Sequence, residues 1–253
     1  MKNFLAKISY DGTDFSGWQI QKEGRTVQQV LENALSKIAK EEIKTISAGR
    51  TDAGVHAIGQ YANFHFPIQM TAKQIRLAIR AHLPYDILVS QIVEVPHDFN
   101  ARYDAQSRSY RYIIAKYRTP FNRKYKTFIP KIKINSEVAE DCLEYFIGKH
   151  DFTSFAKLNP DLNNYNCNVL EFEFEETEHD YIFEIRANRF LHNMVRRVVG
   201  TIINISSSNT NPSIITKLLL DKTTVNKLIN TIPPNGLYLI DVEYPKIIVE
   251  NKF

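Results

Sequence analysis

Cysteine is nearly absent. Cys142 and Cys167 are the only two in 253 residues. They are far apart and lack metal-ligand spacing, so neither a disulfide scaffold nor a thiolate metal centre is expected. Cys142 falls on the apolar side of a helical pattern and is expected as a buried, reduced thiol. No apolar run approaches the ~18 residues of a membrane-crossing helix, and residues 1–10 hold no secretory segment. Gly12 and Gly17 lack the spacing of a dinucleotide fingerprint, and Gly49 and Gly54 do not form a nucleotide phosphate loop. Asp52 and His56 are not accompanied by a nucleophile-elbow serine. These absences leave a cytoplasmic protein with no membrane span, no dinucleotide, no metal and no organic cofactor. An excess of charge is also missing: the net charge of +4 and pI near 8.9 permit a nucleic-acid partner without demanding one.

An apolar content of 43% supports one large core or two linked smaller ones. The densest polar chemistry lies in Ala48-Gly49-Arg50-Thr51-Asp52-Ala53-Gly54-Val55-His56-Ala57. One β-like run, Ile43 to Ala48, leads in, and another, Gln60 to Phe66, leads out. Gly49 and Gly54 can adopt positive φ or admit close backbone, so Asp52 is expected on a tight loop carried by sheet. By itself this neighbourhood leaves Asp52 open as nucleophile, general base or half of a structural ion pair.

Around this centre the chain reads as β-α-β-β-α-β. The strands are Phe4 to Tyr10, the two runs just named, and Ile87 to Val95. Thr26 with Gln29 and Thr71 with Gln74 have capping-box spacing ahead of the two helices. Leu83-Pro84 stops the second. Phe15 and Trp18, in a glycine-containing loop, suit either a base-stacking site or the core. The element order then recurs without residue-level repetition. Strands are expected at Ser109 to Lys116, Val169 to Glu175, Tyr181 to Ala187 and Leu237 to Val242. Helices are expected at Ser136 to Phe146, from Arg189 through Ile202, after Asn211-Pro212 and at Asn226 to Ile232. Gly148 reads as a helix C-cap. The expected fold is α+β: a mixed, largely antiparallel sheet built from two β-α-β-β-α-β half-domains, each with helices on one face. The expected division is 1–103, an RRM-like half with the Asp52 loop, and 104–253, a second RRM-like half.

Charge is uneven along the chain. Arg102, Arg108, Arg111, Lys116, Arg118, Arg123, Lys124 and Lys126 interleave with Tyr103, Tyr110, Tyr112, Tyr117 and Tyr125. Cations for phosphates and rings for bases are what a binder of single strands or loops needs. Glu171 through Asp180 is acidic and would repel phosphate.

At these residues the chain resembles the bacterial tRNA pseudouridine synthase A family. Matching blocks run nearly end to end. They include Tyr10-Asp11-Gly12-Thr13 with Gly17-Trp18-Gln19, Gly49 through Ala57, Leu83-Pro84 with Asp86, Ala101-Arg102, and Tyr110-Arg111-Tyr112. Later blocks are Asp151-Phe152, Phe190 with Met194-Val195-Arg196 and Val199-Gly200, and Gly236-Leu237-Tyr238. The resemblance implies cofactor-free isomerisation of uridine to pseudouridine at positions 38–40 of the tRNA anticodon stem-loop, by a homodimer. It implies Asp52 as the essential carboxylate, Arg196 as its partner and Tyr110 as the ring stacked on the target base. Leu237 would cap the pocket, and Arg50 would enter the RNA where the base has left. Arg102, Arg111, His56 and Tyr112 are further expected substrate contacts, with Lys7 and Arg189 less supported. His56 also suits a loop anchor. The same reaction on ribosomal or another RNA, and a non-catalytic RNA-binding protein, are the alternatives. One position departs: relatives carry an Arg shortly before the strand at Val169, where this chain has Cys167.

Overall fold

The computed structural model describes residues 1–223 and 225–245, which group into two units. The first, Met1–Ser107 with the chain from Tyr238 onward, contains β1 (Lys2–Tyr10), α1 (Val27–Ala39), β2 (Ile46–Ser47), β3 (His56–Phe66), α2 (Ala72–Arg80) and β4 (Ile87–Val95). The second, Arg108–Leu237, contains nearly all of β5 (Ser107–Ala115). It continues with α3 (Ser136–Glu144), β6 (Gly148–Asp151), β7 (Asn166–Glu176), β8 (Asp180–Ala187), α4 (Met194–Ser207) and α5 (Ile214–Leu220). β9 (Leu237–Glu243) carries the chain back to the first unit.

In the first unit the strands lie in the order β4-β1-β3-β9, with β2 beside β3. β1 is antiparallel to both neighbours, Lys7 facing Tyr61 on one side and Gln91 on the other. β9 joins β3 in parallel, with His56 opposite Tyr238; this pairing makes the sheet mixed. Phe4, Ala6, Ile8 and Tyr10 are buried, while Lys7 and Ser9 on the alternate face are only partly covered. The helices start where their caps predict. The Thr26 hydroxyl accepts the Gln29 N–H, and Thr71 and Gln74 close a reciprocal capping box. In the second unit the order β5-β8-β7-β6 is antiparallel throughout.

Three expected elements differ. The run from Ile43 pairs only at Ile46–Ser47. Before that, the Ile43 N–H goes to Ser36 Oγ, and the Thr45 N–H and hydroxyl both go to the buried Glu32 carboxylate. The helix expected from Arg189 begins at Met194, because Asn193 sits in the left-handed region at φ 65°. Residues 225–232 contain no helix. Their carbonyls serve α4 instead: Leu228 O accepts Asn204 Nδ2, and Ile232 O accepts Arg196 Nε. Gly148 opens β6, a strand the sequence reading missed, at φ 96°.

Both cysteines are buried, and burial pushes both thiols up to about 12. The thiolate is the reactive form. Iodoacetamide at pH 8 is therefore expected to leave both thiols unlabelled in the native protein while labelling both after denaturation; mass spectrometry reads the difference. Gly200 allows α4 to meet the 225–232 segment, since a Cβ there would lie 2.5 Å from Asn230 O. Gly200→Ala is expected to cost about 1–3 kcal/mol in urea unfolding.

Candidate active site

The Asp52 loop is fixed by its backbone. Two chain segments meet there, the loop leaving β1 and the loop entering β3. Trp18 N–H donates to Thr51 O at 3.0 Å, and Gly54 N–H donates to Phe15 O at 3.3 Å. Gly12 N–H donates to His56 Nδ1 at 3.1 Å. The Tyr10 and Thr51 hydroxyls lie 2.7 Å apart, and Gln60 Nε2 donates to Gly49 O at 2.8 Å. Asp52 itself closes a turn, its carbonyl accepting the Val55 N–H, and Gly54 takes φ 77°.

Close approach makes this pinning possible. A Cβ on Gly12 would stand 2.0 Å from Val55 O, and one on Gly17 would stand 2.8 Å from Thr51 O at a φ of 97°. Gly49 needs neither device: its φ is not positive and a Cβ would meet nothing within 4 Å. Phe15 and Trp18 belong to the core, Trp18 packing on the Tyr10 ring with centroids 6.1 Å apart. Arg25 lies over the Phe15 ring at 4.0 Å and grips Asp86 with two bonds of 2.6 and 2.9 Å. Bidentate guanidinium–carboxylate pairs fix direction as well as distance, so Asp86 helps hold the loop that holds Gly54. Burial pushes the Tyr10 hydroxyl up to about 12, so it stays protonated at neutral pH.

His56 is 2% exposed and stacked on Tyr238 at 4.7 Å. Its Nδ1 lies against both the Gly12 N–H, at 3.1 Å, and Asp11 Oδ1, at 3.3 Å. Arg50 and Arg102 are both exposed. Partial burial and then the like charge of Arg102 lower the Arg50 guanidinium from its usual range, which places the two cations in one field. Lys7 pairs with Asp241 at 3.4 Å and lies over the Tyr61 ring.

In the second unit Tyr110 is 8% exposed. The edge of Phe190 meets its ring at 5.0 Å and 80°. Arg196 stands in the first turn of α4, donating from Nε to Ile232 O at 2.7 Å and from Nη1 to Asn193 Oδ1 at 3.0 Å. Two fixed acceptors orient a guanidinium that would otherwise sample many rotamers. Leu237 is buried.

Two expected contacts are placed differently. Tyr112 is fully buried; its hydroxyl donates to Pro233 O at 2.6 Å and meets Thr127 Oγ1 at 2.6 Å. Its ring supports the core: it shares a face of β5 with Tyr110 but lies deeper, 0% exposed against 8%. Arg111 is held by Glu184 on β8, Nε to Oε1, at 2.6 Å. Cys167 is buried, and Arg189 lies near enough to act against the rise in its thiol pKa; a cation is thus present beside that position.

Sequence reasoning gave no role to Gly12, Gly17, Arg25, Asp86, Phe190, Asn193 or Ile232. The glycines and Asp86 stood in noticed blocks, but their partners lie up to 61 residues away. Among the described residues no group of three or more His, Cys, Asp or Glu could hold a metal ion, and no helix is long and apolar enough to cross a membrane.

A sequence-family model described as tRNA pseudouridine synthase matches residues 6–104 and 143–245. The chain is 37% identical over 247 residues to tRNA pseudouridine synthase A of an Exiguobacterium species, covering 98% of this chain and 100% of that protein. It is 38% identical over 251 residues to tRNA pseudouridine synthase A of Caldicellulosiruptor bescii, covering 96% and 100%. Against that of a Thermoanaerobacter species it is 38% identical over 246 residues, again covering 96% and 100%.

The Gly12 contact yields a test of the pinned loop. Gly12→Ala forces Val55 and its neighbours to move. Displacement on the ångström scale lowers turnover by about 10²-fold. Single-turnover kinetics should show this loss, while circular dichroism stays unchanged.

Proposed function

The chain belongs to the tRNA pseudouridine synthase A family and isomerises uridine to pseudouridine in tRNA, and on that premise we propose that it acts on the anticodon stem-loop at positions 38–40 through Asp52. The observation that carries this reading is the Asp52 loop, held by backbone bonds at Thr51 and Gly54 and by the Gly12–His56 contact. A group that must meet a reacting atom gains from such rigidity.

The reaction conserves every atom. The N1–C1′ bond of uridine breaks, the base turns, and a C5–C1′ bond forms; C5 loses a proton and N1 gains one. The ionised Asp52 carboxylate meets the everted nucleotide at its ribose or base. Arg196 supplies the guanidinium that complements this charge. Tyr110 stacks on the base and lets it turn in the plane of the ring. Leu237 closes the apolar side. Everting a base costs a few kcal/mol, less in a loop, and Arg50 offsets part of that by filling the vacancy. Arg102 neutralises phosphate beside Arg50. His56 anchors the loop from within, and Tyr112 positions β5 behind Tyr110. The protein works in the cytoplasm, as a homodimer, without a cofactor. Asp52 lies in the first unit, and Tyr110, Arg196 and Leu237 lie in the second. Family membership favours tRNA over ribosomal RNA, and an enzyme over a bare binding module.

Two variants test this. Asp52→Asn is expected to lower pseudouridine formation on unmodified tRNA by about 10²–10⁴-fold or more, with tRNA still bound; activity near wild type would remove Asp52 from the chemistry. Arg196→Met should leave tRNA affinity within a few-fold and abolish most turnover. Equal loss of affinity and turnover would instead make Arg196 a binding residue.

A further inference from the structure

The basic and aromatic run between β5 and α3 divides in two. Its stem is neutralised by the acidic hairpin. Lys116 Nζ pairs with Glu176 at 2.5 Å and donates to Thr177 O, and Lys126 pairs with Asp180 at 2.6 Å. Thr127 closes the base by exchanging backbone bonds with Ile113 and Ala115. The tip, Tyr117 to Tyr125, carries Arg118, Arg123 and Lys124 and no acid. There Phe121 is 91% exposed and Tyr117 is 67% exposed, with Arg118 and Arg123 exposed beside them.

The tip is built. Thr119 N–H donates to Asn122 Oδ1 at 3.1 Å, Asn122 N–H donates to Thr119 Oγ1 at 3.2 Å, and Asn122 Nδ2 donates to Tyr117 O at 3.1 Å. Asn235 Nδ2 donates to both Arg123 O and Lys126 O. A phenyl ring held almost wholly in water forgoes the stabilisation of burial, and large apolar groups kept exposed in a fixed frame mark contact sites.

We infer that the Tyr117–Tyr125 tip is a second tRNA contact, outside the residues assigned to the chemistry. An unpaired nucleotide of the substrate stacks on Phe121 or Tyr117, and Arg118 and Arg123 meet the flanking phosphates. This inference rests on the tRNA reading above. Charge selects the partner: the exposed guanidiniums of Arg118 and Arg123 favour a polyanion, and rings beside cations are the composition that holds unpaired bases. Pre-organisation by Asn122 and Asn235 lowers the ordering cost of binding.

Filter binding of an unmodified tRNA transcript to the whole protein tests it. Phe121→Ala is expected to weaken binding by about 5- to 150-fold, the range for loss of one stacked base, and to raise KM more than it lowers kcat. Phe121→Trp should restore affinity. Arg123→Gln should reduce the slope of log K against log salt by about 0.7. Because the ring is exposed, the thermal midpoint of Phe121→Ala should match wild type. Affinity within twofold of wild type overturns the inference. So does a change in sedimentation at constant tRNA affinity, which would make the tip a protein interface. Failure of wild type to form pseudouridine would strike the functional reading alone, since the effect of Phe121→Ala on affinity is read separately.

Discussion

One loop of backbone meeting another governs the first unit. Between Phe15 and Trp18 on one side and Thr51 and Gly54 on the other, N–H groups and carbonyls pair directly, and no room is left for a side chain at Gly12 or Gly17. Such contacts are stiffer than side-chain contacts, because no rotamer is available to absorb a displacement. The carboxylate that follows Thr51 thus inherits the rigidity of two strands. Arg25, Asp86 and Phe15 extend the same frame outward. The second unit fixes its own groups by different means. Arg196 is aimed by Asn193 and by a carbonyl from an irregular segment, and Tyr110 by the edge of Phe190.

Charge is organised on the same plan. Four acidic residues of the β7–β8 hairpin are set against cations: Glu171 with Arg186, Glu176 with Lys116, Asp180 with Lys126, and Glu184 with Arg111. Pairs that keep part of their surface in water add little stability. Their effect is to sort the basic run, pairing Arg111, Lys116 and Lys126 with carboxylates while Arg118 and Arg123 stay exposed.

Elements with local signals were legible in the sequence. Both threonine-capped helices, the alternating β7 and β8, and the crowded loop around Asp52 follow from spacing alone. Features set by distant partners were not. His56 reads as a loop residue because its strand partner, Tyr238, lies in the last stretch of the chain. Ile43 to Ala48 reads as a full strand because nothing local reveals that Glu32 will capture Thr45. Asn226 to Ile232 reads as a helix because its apolar spacing says nothing of the donors on α4 that claim its carbonyls. In the site, residue types were readable from the motifs, whereas Tyr112 needed its depth in the core to be known.

The parallel pairing of β9 with β3 also bears on how the protein comes to exist. On the ribosome, Met1–Ser107 emerges long before Tyr238, and all of the second unit is made in between. Until then β3 lacks its neighbour at His56 and Ala57, and the ring that stacks on His56 has not been made. Long-range pairing of this kind forms late and slowly. A chain broken off anywhere before β9 therefore carries the Asp52 loop on an unfinished scaffold, with His56 deprived of both its strand neighbour and its stacking ring.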